Sequence, residues 1–137
     1  MRGSIGNENT YLVLETGSGL FAIPIRDTRG VVVGTEAMQT AVLPLMPNHV
    51  KCVAMVRGQP TTIITLPGDR TDVQLLGNPI VILAHSERTI GVIAKNVKMI
   101  AIPQKDISID RLTGAKTYAD GSNIFSIIDI KNLFINN

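Results

Sequence analysis

The sequence predicts an all-β protein of about eight to ten short antiparallel strands, a sandwich or barrel pattern that the chain length suits best as two small barrels sharing one apolar core. Three observations lead there. Aromatic residues are 4% of the chain and Trp is absent, so the interior must be built from Val, Ile and Leu. The β-branched members of that set fit a pleated sheet better than a helix. Turn residues punctuate the chain at short, regular spacing, and no long helical period runs between them. Finally, 137 residues suit one ordinary domain, and divide among this many strands better as two small barrels than as one large one.

The elements follow in order. Tyr11 to Glu15 and Leu20 to Ile25 are apolar runs separated by Gly17-Ser18-Gly19, which is a hairpin pattern. Pro24 cannot donate to a ladder and places an edge or an end there. Val31 to Val33 makes a third strand, closed by Gly34, and a loop from Thr35 to Thr40 leads to apolar Ala41-Val42-Leu43. Asn48 is positioned to cap one helical turn, with Pro44 and Pro47 forbidding a longer helix upstream. Cys52 to Val56 and Thr61 to Leu66 form a second hairpin around Arg57-Gly58-Gln59-Pro60. The loop Pro67 to Asn78 is placed between two subdomains. Pro79 to Ala84 is continuously apolar, as a strand buried on both faces would be. After a polar turn at His85 to Arg88, Ile90 to Ala94 and Val97 to Ile102 read as a strand pair around Lys95-Asn96. Alternation points Ile107 and Ile109 inward. Ala115 to Ala119, the turn Asp120-Gly121 and Asn123 to Ile128 make the last hairpin, and Asp129 caps a short helix from Ile130 to Phe134.

Composition excludes several functions. Hydrophobic residues at 45% against 18% charged describe a packed interior rather than a disordered chain. The net charge of +2 comes from scattered basic residues, without the basic stripe and stacking aromatics of a nucleic-acid surface. No apolar run approaches the roughly 20 residues that cross a bilayer, and no signal peptide is legible. Met1-Arg2-Gly3-Ser4 has the look of a vector remnant, so residues 1–7 are expected to be disordered or tag-derived, with the domain spanning 8–135.

Chemistry-bearing residues are few and dispersed. Cys52 is the lone cysteine, which suits a reducing compartment. His49 and Lys51 beside it could lower a thiol pKa, but a single Cys in an apolar strand reads first as a small buried hydrophobe. His49 and His85 stand apart, without the paired ligands zinc requires, and the loop acids Asp69 and Asp72 read as solvated. Gly17-Ser18-Gly19 links two strands rather than opening a helix, so it is not a phosphate loop. Nothing supports a catalytic site, a metal or a cofactor.

The segment from Pro44 to Gly58, with two spaced prolines, a short apolar strand and an Arg-Gly turn, resembles the signature of the CheW chemotaxis coupling proteins. Tyr11 to Ile25 is similar to the family's opening hairpin, and Ile80 to Ile102, with Gly91-Val92-Ile93 inside, to its Val-rich strands. Asp120-Gly121 followed by Ile127-Ile128-Asp129 is similar to its closing strand and terminal helix. The resemblance covers about residues 10 to 135 and implies two five-stranded, SH3-like barrels packed on a shared hydrophobic core. The chain departs from the family pattern at Cys52 (usually Gly), at Thr62 and Thr65 (usually Pro and Asp), and at Gly30 and Lys95 (usually acidic).

What the resemblance implies is a non-enzymatic, cytoplasmic adaptor that couples methyl-accepting chemoreceptors to the histidine kinase CheA. It implies that the kinase's regulatory domain, itself CheW-like, contacts one barrel, and that the receptor's cytoplasmic hairpin tip enters the groove between barrels. Matched by position, the receptor-facing candidates are Ile25, Thr28, Val31 and Arg57. From the residues alone, Ile25 and Val31 also read as core positions, and Arg57 as a bonding partner for nearby carbonyls. A CheW-like domain excised from a larger signalling protein, or one serving a pilus-type pathway, is the alternative. An enzyme or a binder of small molecules on a double barrel is a third reading, which a pocket with convergent titratable groups would favour.

Overall fold

The structure is a computed structural model that describes residues 9–35, 38, 40, 41, 50–66 and 74–135. The expected helical turn at Asn48, and His49, Asp69 and Asp72, lie outside them, as do residues 1–7. The described residues form strands β1 (Thr10–Thr16), β2 (Gly19–Pro24), β3 (Thr28–Val33), β4 (Thr40–Ala41), β5 (Val50–Val56) and β6 (Gln59–Ile64). These are followed by β7 (Pro79–His85), β8 (Arg88–Ile93), β9 (Asn96–Ala101), β10 (Ser108–Ile109), β11 (Lys116–Asp120), β12 (Asn123–Ile127) and a short helix α1 (Ile130–Ile135).

The strands pair into two six-stranded sheets, in the orders β10-β11-β12-β2-β1-β9 and β3-β7-β8-β6-β5-β4. In each, five strands are of five to seven residues and the sixth has only two, so the two-subdomain β fold predicted from sequence is what the chain adopts. The pairings described begin and end each sheet on different strands, but the second sheet curls toward closure. Val32 of β3 packs on the interior cluster that holds Cys52, Ala54 and Val56 of β5.

The core divides into three clusters because β1 and β7 are apolar at successive positions and bury both faces. Tyr11 and Val13 point into the first sheet's interior with Ala22, Ile102 and Phe125. Ile80 and Ile82 point into the second sheet's interior with Cys52, Ala54, Val56, Ile63 and Ile93. The intervening residues, Leu12 and Leu14 on β1 and Val81 and Leu83 on β7, meet between the sheets with Ile23, Ile64, Leu66, Ile90 and Val92. Helix α1 covers this shared cluster with Ile130 and Leu133. Asp129 caps it as the sequence predicts, its carboxylate accepting from the Lys131 backbone N–H at 3.1 Å.

Three sequence expectations are corrected. The strand pair around Lys95-Asn96 does not form: β8 pairs with β7 and β6, whereas β9 pairs with β1 in the other sheet. The chain crosses there between sheets, the buried Ala94 N–H donating to Pro79 and the Lys95 N–H to Glu15. Neither Lys95 nor Asn96 takes the positive φ that a tight two-residue hairpin needs. Pro67 to Asn78 does not divide the subdomains, since β6 and β7 on either side of it belong to one sheet. The first subdomain instead takes both ends of the described chain. Ile107 packs inward, but Ile109 is 60% exposed on the two-residue edge strand β10, where no neighbour covers it.

Candidate functional site

The segment joining β2 to β3 and the turn joining β5 to β6 meet at the surface of the second subdomain. Pro24 ends β2, as its missing N–H requires, and Ile25–Asp27 form one 3-10 turn. Ile25 is half-buried and leans on the shared core. Thr28 closes the turn twice: its backbone N–H and its hydroxyl both donate to the Ile25 carbonyl, the hydroxyl at 2.8 Å.

The register of β3 against β7 slips between Thr28 and Gly30, leaving Arg29 as the extra residue of a bulge. Arg29 points outward and folds back, one guanidinium nitrogen donating to the carbonyls of Arg26 and Thr28, each at 3.1 Å. Gly30 then takes φ +137°, a conformation that side chains resist. Val31 follows, 41% exposed on an edge strand, with Val33 beyond it at 55%.

Arg57 and Gly58 form a two-residue hairpin turn, with φ 51° and 80°. Positive φ at both central positions matches the twist of the flanking strands, and only one of the two residues here is glycine. The turn is therefore tighter than the four residues predicted, since Gln59 and Pro60 already belong to β6. The Arg57 side chain crosses to β3 and lies on Gly30: a methyl group placed on Gly30 would sit 3.3 Å from its Nη2 and 3.4 Å from its Nη1.

Ile25, Thr28 and Val31 thus belong to one short segment, and Arg57, from a distant part of the sequence, is brought onto it. Their burial differs. Ile25 and Thr28 hold the local fold, whereas Val31 and Arg57 are presented to solvent. Among the described residues Arg57 makes no hydrogen bond or ion pair, so the carbonyl-bonding role open to it from sequence is not the one it takes. Sequence reading missed Gly30 as the floor beneath Arg57; the available signal was an isolated glycine at the head of a Val run, which marks a bulge or a close approach.

The arrangement is suited to recognition. An exposed guanidinium presents several fixed donors to an oxyanion or carbonyl, beside an exposed apolar strand. Cys52 is buried, and burial raises its thiol pKa against a smaller lowering by Lys51, which disfavours the thiolate a nucleophile would need. No group of three His, Cys, Asp or Glu side chains gathers among the described residues. No helix among them is long and apolar enough to cross a membrane.

The CheW-like domain family matches the chain over residues 10–135. In structure the chain is similar to the scaffolding protein TtCheW from Thermoanaerobacter tengcongensis, with a TM-score of 0.72, 18% identity and 88% of each chain covered. Identity that low speaks for the fold alone. No curated protein matches the chain by sequence.

Proposed function

The chain belongs to the CheW-like domain family, and from that premise we propose that it is a non-enzymatic adaptor coupling chemoreceptors to a CheA-type histidine kinase in the cytoplasm. Family membership supports a coupling or scaffolding role in chemotaxis signalling generally. The particular partners follow from the family resemblance: the kinase's regulatory domain on one subdomain, and the hairpin tip of the receptor's cytoplasmic coiled coil at the groove between them.

The observation that carries the reading is the surface formed by Val31 and Arg57, which holds donors and apolar area ready without any group to act on a substrate. Ile25 and Thr28 serve it from below by fixing the turn on which β3 starts. Among the described residues Cys52 is buried, and no group of three His, Cys, Asp or Glu side chains gathers.

Replacing Arg57 with Glu tests this directly. Affinity for a receptor-tip fragment, measured by titration calorimetry, is expected to fall about tenfold or more, because a buried charge-assisted contact is typically worth over one such factor. Thermal stability should not change, since the side chain is exposed and unbonded among the described residues. An equal loss of binding and of stability would make Arg57 a structural residue instead.

A further inference from the structure

We infer that Gly30 is the positioning residue of the binding surface, seating the Arg57 guanidinium so that a carboxylate of the docking protein completes it. The inference rests on the adaptor reading above and names the chemistry at its centre. Two constraints converge on the seat. The bulge at Arg29 and the φ of +137° set the backbone conformation at Gly30, where the Arg57 head arrives from the β5–β6 turn. The missing side chain then lets the guanidinium settle at a distance where a Cβ would already be crowded, 3.3 Å from Nη2.

Arg57 also holds a conformation that non-glycine residues seldom adopt, φ 51°, in a turn where such strain persists only if the surroundings fix it. Its Nη1–Nη2 edge also meets Gly30, a contact that reduces the freedom the side chain has to lose on binding. Among the described residues no carboxylate or carbonyl occupies them. Arg29, by contrast, spends its donors on Arg26 and Thr28 and is not available in the same way. A planar cation with open donors is best satisfied by a carboxylate, which accepts on two oxygens, rather than by a carbonyl.

The experiment is a double-mutant cycle by titration calorimetry. The probe is a soluble receptor-tip fragment from the same organism, in its native form and with its exposed acidic residues changed to amides. Arg57→Gln should weaken binding of the native tip about tenfold or more, and should leave binding of the amidated tip unchanged. Gly30→Ala should weaken binding severalfold with Arg57 present, and should add nothing in the Arg57→Gln background. If Gly30→Ala does not fold, Arg57→Lys reads the same point, because it keeps the charge and loses the two-nitrogen edge that meets Gly30; binding like that of the wild type would overturn the seat. Equal losses from Gly30→Ala in both backgrounds would make Gly30 merely structural. Tight binding of the amidated tip would remove the carboxylate. If the wild-type protein fails to bind any tip, the adaptor reading falls together with this one.

Discussion

Single residues in the second subdomain show how little slack its interior has. A Cβ on Gly91 would lie 2.7 Å from Ile80 Cγ2 and 2.8 Å from Ile63 Cδ1, so Gly91→Ala overpacks the core, at a cost of about 1–3 kcal/mol in thermal or urea unfolding. Gly34 is tighter still: the backbone carbonyl of Leu75 occupies the space a side chain would need, and backbone cannot yield as a flexible side-chain tip would. Cys52 supplies a pH dependence. Its folded-state pKa is raised, chiefly by burial, so the unfolded chain ionises first as pH rises. Its contribution to stability is complete below the ordinary thiol pKa of about 8.5 and is lost as pH climbs through the higher folded value. Urea midpoints between neutral and alkaline pH should therefore fall more for the wild type than for Cys52→Ala; parallel curves would contradict the burial argument. That Cys52 is buried was legible in its apolar strand. That Gly30 underlies Arg57 was not, because the contact joins residues from two different hairpins and depends on a bulge.

At the level of elements, sequence reading succeeded where pattern is local. The β1–β2, β5–β6 and β11–β12 hairpins each carry turn residues between two apolar runs, and all three form. The helix cap was equally local, and Asp129→Ala should cost about 0.5–2 kcal/mol and fray α1 in hydrogen exchange. Reading failed where an element changes sheets. Ala94 to Asn96 looks like a turn because two apolar runs flank it, yet the crossing is decided by pairing of β9 with β1, more than eighty residues earlier in the chain. The parallel pairings of β12 with β2 and β6 with β8, which turn two sets of hairpins into two continuous sheets, are non-local in the same way. The site inherited this mixture. All four candidates came from the family pattern; Ile25, Thr28 and Val31 are neighbours in sequence, whereas the approach of Arg57 to their segment is non-local.

For the whole molecule, the shared cluster makes two small sheets into one structure. Leu83 of β7 is fully buried in it, against residues of β1 and β2 from the other sheet. Leu83→Ala should cost about 2–5 kcal/mol and lower hydrogen-exchange protection in both sheets together. Loss confined to the second sheet would show that the subdomains are independent. A fold knitted in this way, with both ends of the described chain in one subdomain, holds two surfaces at a fixed mutual geometry, which is what an adaptor between a receptor and a kinase requires. Reconstitution tests that claim most directly: the organism's CheA-type kinase and a receptor in vesicles, with and without this protein, followed by kinase autophosphorylation. The account predicts that the kinase comes under receptor control only when the protein is present, and that Arg57→Glu weakens that control. Receptor control that is the same with the protein and without it would contradict the account.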